Sequence, residues 1–251
     1  MIISRILLLA VMLLLAVPLL AVASSPALAI HPTQAEIASA HEWLAARLGD
    51  DHKAPSAEPP FSFTYDGRPS REILETWKAE RHVRALDDAR TERVMTFTDP
   101  GTGLALTWRA VEYCDFPTVE WTVYLKNTGQ RDTPILENIQ ALDLHVRRDR
   151  KDGEFVLHHN QGSMTTVKDF QPFAAPLAPG KELRLGTSGG RPMNLNMPYF
   201  NLQWGDQGMI VVVSWVGQWA ASFNRDAENG LRIAIPDRPG AALIVYRGER
   251  R

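Results

Sequence analysis

The spacing of apolar positions changes twice along the chain. Residues 6–23 are almost wholly apolar, residues 33–49 repeat their apolar positions at helical spacing, and from Phe61 onward apolar and polar positions alternate. Alternation is typical of half-buried β-strands, whereas the helical spacing is typical of an amphipathic helix. The pattern therefore predicts three segments. They are an apolar leader at 1–29, a helix with a linker at 30–60, and a β domain at 61–251.

The leader has the features of a secretory signal peptide. Arg5 precedes the apolar run, Pro18 interrupts it, and small residues at 21–23 and 27–29 offer two cleavage sites. The alternative is an uncleaved membrane anchor, because the run is long enough to span a bilayer. We expect export to the periplasm or the cell exterior, with no membrane contact after cleavage.

The helix is marked at both of its ends. Thr33 and Glu36 have the spacing of a capping box, in which each side chain satisfies a backbone amide of the first turn. Gly49 is a typical residue at a helix end. The apolar positions between these ends recur at helical spacing: Ile37, Ala40, Leu44 and Leu48.

The β domain contains about ten strand-like runs joined by short turns, without alternating helices. This organisation predicts an all-β antiparallel sandwich. The run at 209–213 has no polar position, so we expect a central strand that is buried on both faces. The other runs lie at 61–65, 92–98, 104–113, 119–126, 135–146, 154–158, 182–185, 220–224, 231–235 and 241–246.

Composition excludes several classes of function and partner. The net charge is −2, which does not favour nucleic acid as a partner. Cys114 is the only cysteine, so no intrachain disulfide can form. His158 and His159 are adjacent on a predicted strand and point to opposite faces, so both cannot enter one metal site. A zinc site needs three or four convergent ligands. We therefore expect no metal and no cofactor.

The strongest chemical signal is an aromatic and amide-rich tract at 189–219. Aromatic faces can stack on the apolar faces of sugar rings, while amide and guanidinium groups supply directional hydrogen bonds. The alternative is that these aromatic side chains fill the core, and for Trp215 and Trp219 the sequence leaves both roles open. The candidate sugar contacts are Arg191, Tyr199, Asn201, Trp215, Gln218 and Trp219, with His159 and Asp169 as weaker additions.

Two catalytic patterns are incomplete in this sequence. Residues 186–190 match the G-x-S-x-G nucleophile elbow, but Arg191 and Pro192 follow where that motif requires a helix. Glycoside hydrolysis requires two carboxylates across the scissile bond. Asp169 and Asp226 are the best placed acids, and neither has a visible partner. We therefore assign no catalytic residue.

Several short blocks together resemble the N-terminal domain of melibiase-like α-galactosidases, which form glycoside hydrolase family 36. The resemblance covers roughly residues 60–226. The blocks are the residues at 61–67, 77–78, 98–100, 103–104, 115–117, 119–121, 126–129, 142–144, 158–159, 162–163, 169–170, 189–192, 198–202 and 217–219. Ser214 and Val216 depart from the pattern, because the family resemblance implies Gly and Pro there.

The resemblance implies a β-supersandwich of the galactose-mutarotase-like type. In the complete enzymes it implies a following (β/α)₈ barrel that carries both catalytic aspartates, with sandwich loops reaching its active site. A barrel needs about 250 residues, and this chain ends at Arg251. We therefore expect a non-catalytic domain, or a truncated form, of an exported α-galactosidase-like glycoside hydrolase that is inactive alone.

Two other functions stay open at this point. The domain could be a structural one that docks to a separately encoded catalytic barrel. It could also be a mutarotase-like sugar enzyme, which needs a histidine and a carboxylate in one cleft. For that enzyme the sequence offers His159 with Asp169 or Glu154. The expected partners are a galactose-containing saccharide and, in the second case, the barrel chain.

Overall fold

The computed structural model describes residues 31–49, 55, 57–149, 153–236 and 243–249, the last range as backbone only. The signal peptide predicted at 1–29 lies outside the described residues. The described elements belong to one unit, Pro32–Arg251. None of the helices within these ranges is long and apolar enough to cross a membrane.

Two helices and fifteen strands make up the described elements. The helices are α1 Gln34–Leu48 and α2 Ser70–Ile73, the latter continued by a 3₁₀ turn at Leu74–Thr76. The strands are β1 Ser62–Tyr65, β2 Arg68–Pro69, β3 Lys78–Ala85, β4 Arg90–Thr98, β5 Leu104–Tyr113, β6 Thr118–Asn127, β7 Leu136–Arg147, β8 Val156–Asn160, β9 Pro172–Pro176, β10 Glu182–Gly186, β11 Tyr199–Trp204, β12 Gln207–Val213, β13 Ala220–Arg225, β14 Gly230–Pro236 and β15 Leu243–Glu249.

The strands form two antiparallel sheets. One has six strands in the order β10-β13-β14-β7-β1-β2, and the other has nine in the order β3-β4-β5-β6-β15-β12-β11-β8-β9. Aromatic side chains from both sheets meet between them. Phe61 lies edge-on to Trp108 at 5.6 Å, and Phe200 lies edge-on to Phe223 at 5.1 Å between ring centroids. The prediction of an antiparallel β fold preceded by one helix is confirmed.

Helix α1 begins and ends where the sequence predicts. Thr33 Oγ1 accepts a hydrogen bond from the Glu36 amide at 3.2 Å, the Glu36 carboxylate accepts one from the Thr33 amide, and Gly49 follows the last turn. Its buried side chains are Ala40, Leu44 and Leu48. The helix packs on the nine-stranded sheet, where Trp43 stacks on Trp121 at 5.8 Å between ring centroids.

Several strands differ from the sequence prediction, which did not include β2, β3, β9 or β11. Strand β3 is exposed along all of its residues, so its sequence has no alternation that a hydrophobic pattern could detect. Strand β12 is central, between β15 and β11, as predicted for the apolar run at 209–213. However, only Met209, Val211 and Val213 are fully buried. Ile210 and Val212 lie on the outer face of the sheet and are partly covered.

Candidate functional site

The aromatic and amide-rich tract lies in three loops that are joined to one another by backbone hydrogen bonds. We call residues 161–171, 187–198 and 214–219 the loop cluster. Gly162 N donates to Leu195 O at 3.0 Å, and Ser163 N donates to Met193 O at 2.7 Å. A Cβ at Gly162 would lie 2.0 Å from Met193 O, so only glycine allows this close approach. The first two loops therefore form a single, closely joined unit.

Trp219 anchors the third loop to the second from inside the core. Its side chain is only 3% exposed and lies edge-on to Phe200 at 5.6 Å between centroids. Its indole Nε1 donates to Pro192 O at 2.6 Å, and its backbone amide donates to Thr187 Oγ1 at 3.2 Å. The structure thus gives Trp219 the core position that the sequence left open, with its ring turned away from solvent.

Trp215 and Gln218 lie at the cluster surface and are partly buried. The indole of Trp215 lies against Gly217, where a Cβ would come within 2.5 Å of its Nε1. Gln218 Oε1 accepts a long hydrogen bond of 3.4 Å from the Gly190 amide. The side chain of Arg191 next to this turn is exposed. Trp215 therefore packs partly against the core, whereas Gln218 contacts the turn next to the exposed Arg191.

Tyr199 and Asn201 extend the surface onto the outer face of β11. Tyr199 is 44% exposed, and Asn201 is also exposed. On the same face, Asn201 is the register partner of His158, whose Nε2 lies 3.1 Å from Gln203 Oε1. His158, and not the predicted His159, therefore shares this face with Asn201. Strand parity could have shown that only one of them shares a face with Asn201.

His159 points to the opposite face of β8. Its ring stacks on Phe173 at 5.1 Å between centroids, and its Nδ1 is buried without a hydrogen-bond partner. Burial lowers the pKa of His159 below its usual value, so the neutral ring is favoured near neutral pH. His159 therefore lies apart from Tyr199 and Asn201, and its contact with a saccharide stays a prediction.

Asp169 holds the first loop in shape. Its carboxylate accepts hydrogen bonds from Ser163 Oγ at 2.6 Å, from the amides of Met164 and Thr165 at 3.0 Å each, and from the amide and hydroxyl of Thr166 at 3.1 Å. Together these bonds, first of all the one from Ser163, hold the pKa of Asp169 far below its usual value. The carboxylate is therefore ionised and fully engaged within its own loop.

This engagement makes the order of the loop dependent on pH. The pKa of Asp169 is lower in the folded chain than in the unfolded chain, so its stabilising effect is present above about pH 4 and is lost as the pH falls further. We expect Asp169→Asn to lower the backbone NMR order parameters of residues 163–168 at neutral pH. Strong acid should have the same effect on the unmodified chain. Asp115→Asn, at an exposed position, serves as the control, and equal order in both variants would contradict this role.

The structure does not bring together the residues of the other catalytic sites considered from the sequence. Within the described residues His159 forms no hydrogen bond with Asp169 or Glu154, and Glu154 Oε1 instead accepts one from Arg225 Nε at 3.0 Å. Residues 187–198 form turns, so no helix follows the G-x-S-x-G match. In the part of the chain that the structure describes, no three His, Cys, Asp or Glu side chains converge as metal ligands.

Apolar side chains are exposed throughout and beside the loop cluster. Val167, Phe170 and Val216 at its surface are 104%, 54% and 78% exposed. Clustered exposed apolar side chains mark interaction surfaces more often than isolated ones do. The remaining exposed members of this region are Met164, Phe173, Met193, Leu195 and Tyr199.

Comparison with known proteins finds matches among solved structures only. No protein-family model and no curated protein matches the sequence. Among solved structures, an α-galactosidase from Lactobacillus brevis superposes with a TM-score of 0.56 at 17% identity, covering 81% of this chain and 30% of that enzyme. The family 36 α-galactosidase AgaA from Geobacillus stearothermophilus superposes with a TM-score of 0.55 at 10% identity, covering 77% and 30%. AgaB from the same organism gives a TM-score of 0.54 at 10% identity, covering 80% and 31%.

The chain has the fold of a β sub-domain of family 36 α-galactosidases. It spans less than a third of the length of these enzymes. The resemblance stated from the sequence is therefore confirmed for the fold. At sequence identities of 10–17%, the roles of individual residues in these enzymes do not transfer to this chain. The candidate contacts at the loop cluster therefore stay predictions.

Proposed function

We propose that the chain is the non-catalytic N-terminal β domain of an exported α-galactosidase-like glycoside hydrolase. In this proposal the fold is a β-supersandwich of the galactose-mutarotase-like type. Its loop cluster contacts terminal galactose, or shapes the active site of a catalytic barrel that lies outside this chain. The observation that carries the proposal is the loop cluster itself, a surface held by internal hydrogen bonds that presents aromatic, amide and guanidinium groups beside β11.

The internal hydrogen bonds of the cluster suit it to binding. Loops that are already ordered lose little conformational entropy when a ligand binds, and this favours affinity. Trp219 fixes the cluster from the core, and Asp169 fixes it from within the first loop. The exposed groups of Arg191, Tyr199 and Asn201 can then supply hydrogen bonds and an aromatic face to a sugar ring without rearrangement.

The same geometry argues against hydrolysis by this domain alone. Both glycosidase mechanisms need two carboxyl groups roughly 5–9.5 Å apart, flanking the scissile bond and free to exchange protons. Asp169 is held ionised by its loop. Asp226 Oδ1 accepts hydrogen bonds from Arg225 and from the amides of Glu228 and Gly230. We therefore expect no turnover of an aryl α-galactoside by the purified chain, and turnover would contradict the non-catalytic assignment.

Galactose binding should depend on Tyr199. We expect Tyr199→Ala to raise the Kd for galactose about two- to tenfold in titration calorimetry, because a stacked aromatic contact contributes roughly 0.5–1.5 kcal/mol. Tyr124→Ala is a matched control, since Tyr124 is 50% exposed on β6, away from the cluster. If both variants bind galactose as the unmodified chain does, the surface on β11 is not a sugar contact.

A docking function is the second candidate, and the exposed apolar side chains of the cluster favour it. Such side chains would be covered by a separately encoded barrel. The same titration separates the two candidates when it is repeated with an added barrel chain of a family 36 α-galactosidase. Binding of galactose by the chain alone supports direct contact. Binding that appears only in the mixture, with a stronger affinity than the barrel has alone, supports docking.

A further inference from the structure

A large open cleft lies on the opposite flank from the loop cluster. It has a volume of about 1090 Å³ and is lined by β1, β3, β4, β7, β14, α2 and the segment that precedes β1. Strands β2 and β3 are edge strands of the two sheets, and β10 and β9, near the loop cluster, are the opposite edges. Ligand pockets usually measure about 300–1,000 Å³, so this cleft has room for a ligand longer than one sugar ring.

Two arginines at this cleft have guanidinium groups that pair with no carboxylate of the described residues, although Glu58 and Glu75 also line the cleft. Arg71 lies on α2 and Arg81 on β3, and both side chains are exposed. Arg81 Nε donates to Leu48 O at 2.9 Å, which fixes the group while leaving its terminal nitrogens available. Among the described residues neither arginine forms an ion pair. Guanidinium groups in such positions bind carboxylates or phosphates through paired hydrogen bonds.

The other wall of the cleft offers groups that suit hydroxyls. Asp143 is fixed there by Arg232, whose Nε and Nη2 donate at 2.7 and 2.8 Å, and by Ser62 Oγ at 2.6 Å. Burial opposes its ionisation, but these hydrogen bonds outweigh burial and hold the pKa of Asp143 below its usual value. The fixed carboxylate thus has remaining acceptor capacity for a ligand hydroxyl.

An irregularity in β7 adds two amide groups to this wall. Asn138 adopts a positive φ of 50°, and the pairing of β1 with β7 shifts register between the partners of Ser62 and Thr64. Such bulges re-aim side chains and are common beside functional sites. Asn138 and Gln140, on either side of the shift, both line the cleft.

From this combination we propose that the cleft binds an acidic oligosaccharide, that is, one with a carboxylate-bearing sugar. Arg71 and Arg81 hold the carboxylate, Asp143 accepts hydrogen bonds from sugar hydroxyls, and the amide groups of Asn138 and Gln140 accept from or donate to these hydroxyls. The site is separate from the loop cluster, so its failure would leave the proposed function standing, and the reverse also holds.

The test is a calorimetric titration of the chain with tri-galacturonate and with neutral galactotriose of the same length. We expect tri-galacturonate to bind at least tenfold more tightly, and added salt to weaken its binding. The double variant Arg71→Gln/Arg81→Gln should raise the Kd for tri-galacturonate about tenfold or more, because hydrogen bonds between charged groups are lost. Arg184→Gln, at an arginine whose side chain is 77% exposed on β10, should leave it unchanged.

Several results would overturn the proposal. These are no binding of tri-galacturonate, equal binding of the two trisaccharides, or equal affinity of the double variant and the Arg184→Gln control. Complete displacement by an equal concentration of inorganic phosphate would also overturn it, because it would indicate a simple anion site. Thermal melting of each variant shows whether a lost signal reflects a lost fold.

Discussion

Arg225→Met should lower the free energy of unfolding by roughly 3 kcal/mol, because it removes a buried cation together with the hydrogen bonds that this cation donates. The Arg225 side chain is fully buried and donates to the carboxylates of Glu154 and Asp226. It also donates to the backbone carbonyls of Asp226, Glu228 and Gly230 at 2.8–3.3 Å. Methionine fills much of the space but satisfies none of these acceptors, and unpaired buried acceptors are costly.

Urea denaturation monitored by tryptophan fluorescence would measure this loss. Arg184→Met is the matched control, because Arg184 makes one ion pair with Glu182 while its side chain stays 77% exposed. Exposed pairs of this kind contribute at most about 1 kcal/mol. A loss below about 1 kcal/mol for Arg225→Met would show that the network is not a determinant of stability.

Trp219→Ala should cost about 3–5 kcal/mol, the usual range for truncating a buried tryptophan. The ring is 3% exposed, lies edge-on to Phe200, and donates to Pro192 O. Trp219→Phe keeps the aromatic contact but removes the hydrogen bond, so we expect a smaller loss of roughly 1–2 kcal/mol, which includes the smaller ring volume. This second variant should also weaken galactose binding, because the loop at 187–198 loses its tie to the core.

Phe116→Ala is a suitable control for these variants, since Phe116 is 47% exposed in the turn between β5 and β6. We expect it to change the free energy of unfolding by less than about 1 kcal/mol. Equal melting temperatures for Trp219→Ala and Phe116→Ala would contradict the core position of Trp219. Unchanged galactose affinity in Trp219→Phe would show that galactose binding does not need the hydrogen bond that ties the loop at 187–198 to the core.

The features that the sequence predicted well are those with local causes. The ends of α1 follow from the capping box at Thr33 and Glu36 and from Gly49, all within the helix or next to it. Most strands of the β domain follow from alternation that burial of one face requires. Strand β3 could not be predicted in this way, because both of its faces are exposed and pairing with β4 alone makes it a strand.

Features that depend on distant contacts were beyond the sequence. The packing of α1 on the nine-stranded sheet involves His41 Nδ1, which lies 2.6 Å from Glu112 Oε1, a contact between residues far apart in the chain. The burial of Trp219 depends on Pro192 and Phe200 in the same way. Both a core role and a surface role fit the local sequence around Trp219, and only its contacts with Pro192 and with Phe200 on β11 distinguish them.

The role of Asp169 is an intermediate case. Its donors lie three to six residues earlier in the chain, and a run of Ser and Thr followed by Asp is a local signal for a carboxylate-capped loop. From the sequence, Asp169 is a candidate sugar contact and one of the two best placed acids. This local signal predicts that the Asp169 carboxylate accepts hydrogen bonds from backbone amides of its own loop.

NMR titration of the isotope-labelled chain with galactose would show whether the loop cluster is a saccharide-contacting surface. The proposed function predicts chemical-shift changes for the backbone amides of residues 187–191, 199–201 and 215–218. It predicts little change at Tyr124 and along β3. Changes confined to other parts of the chain, or none at saturating galactose, would contradict it.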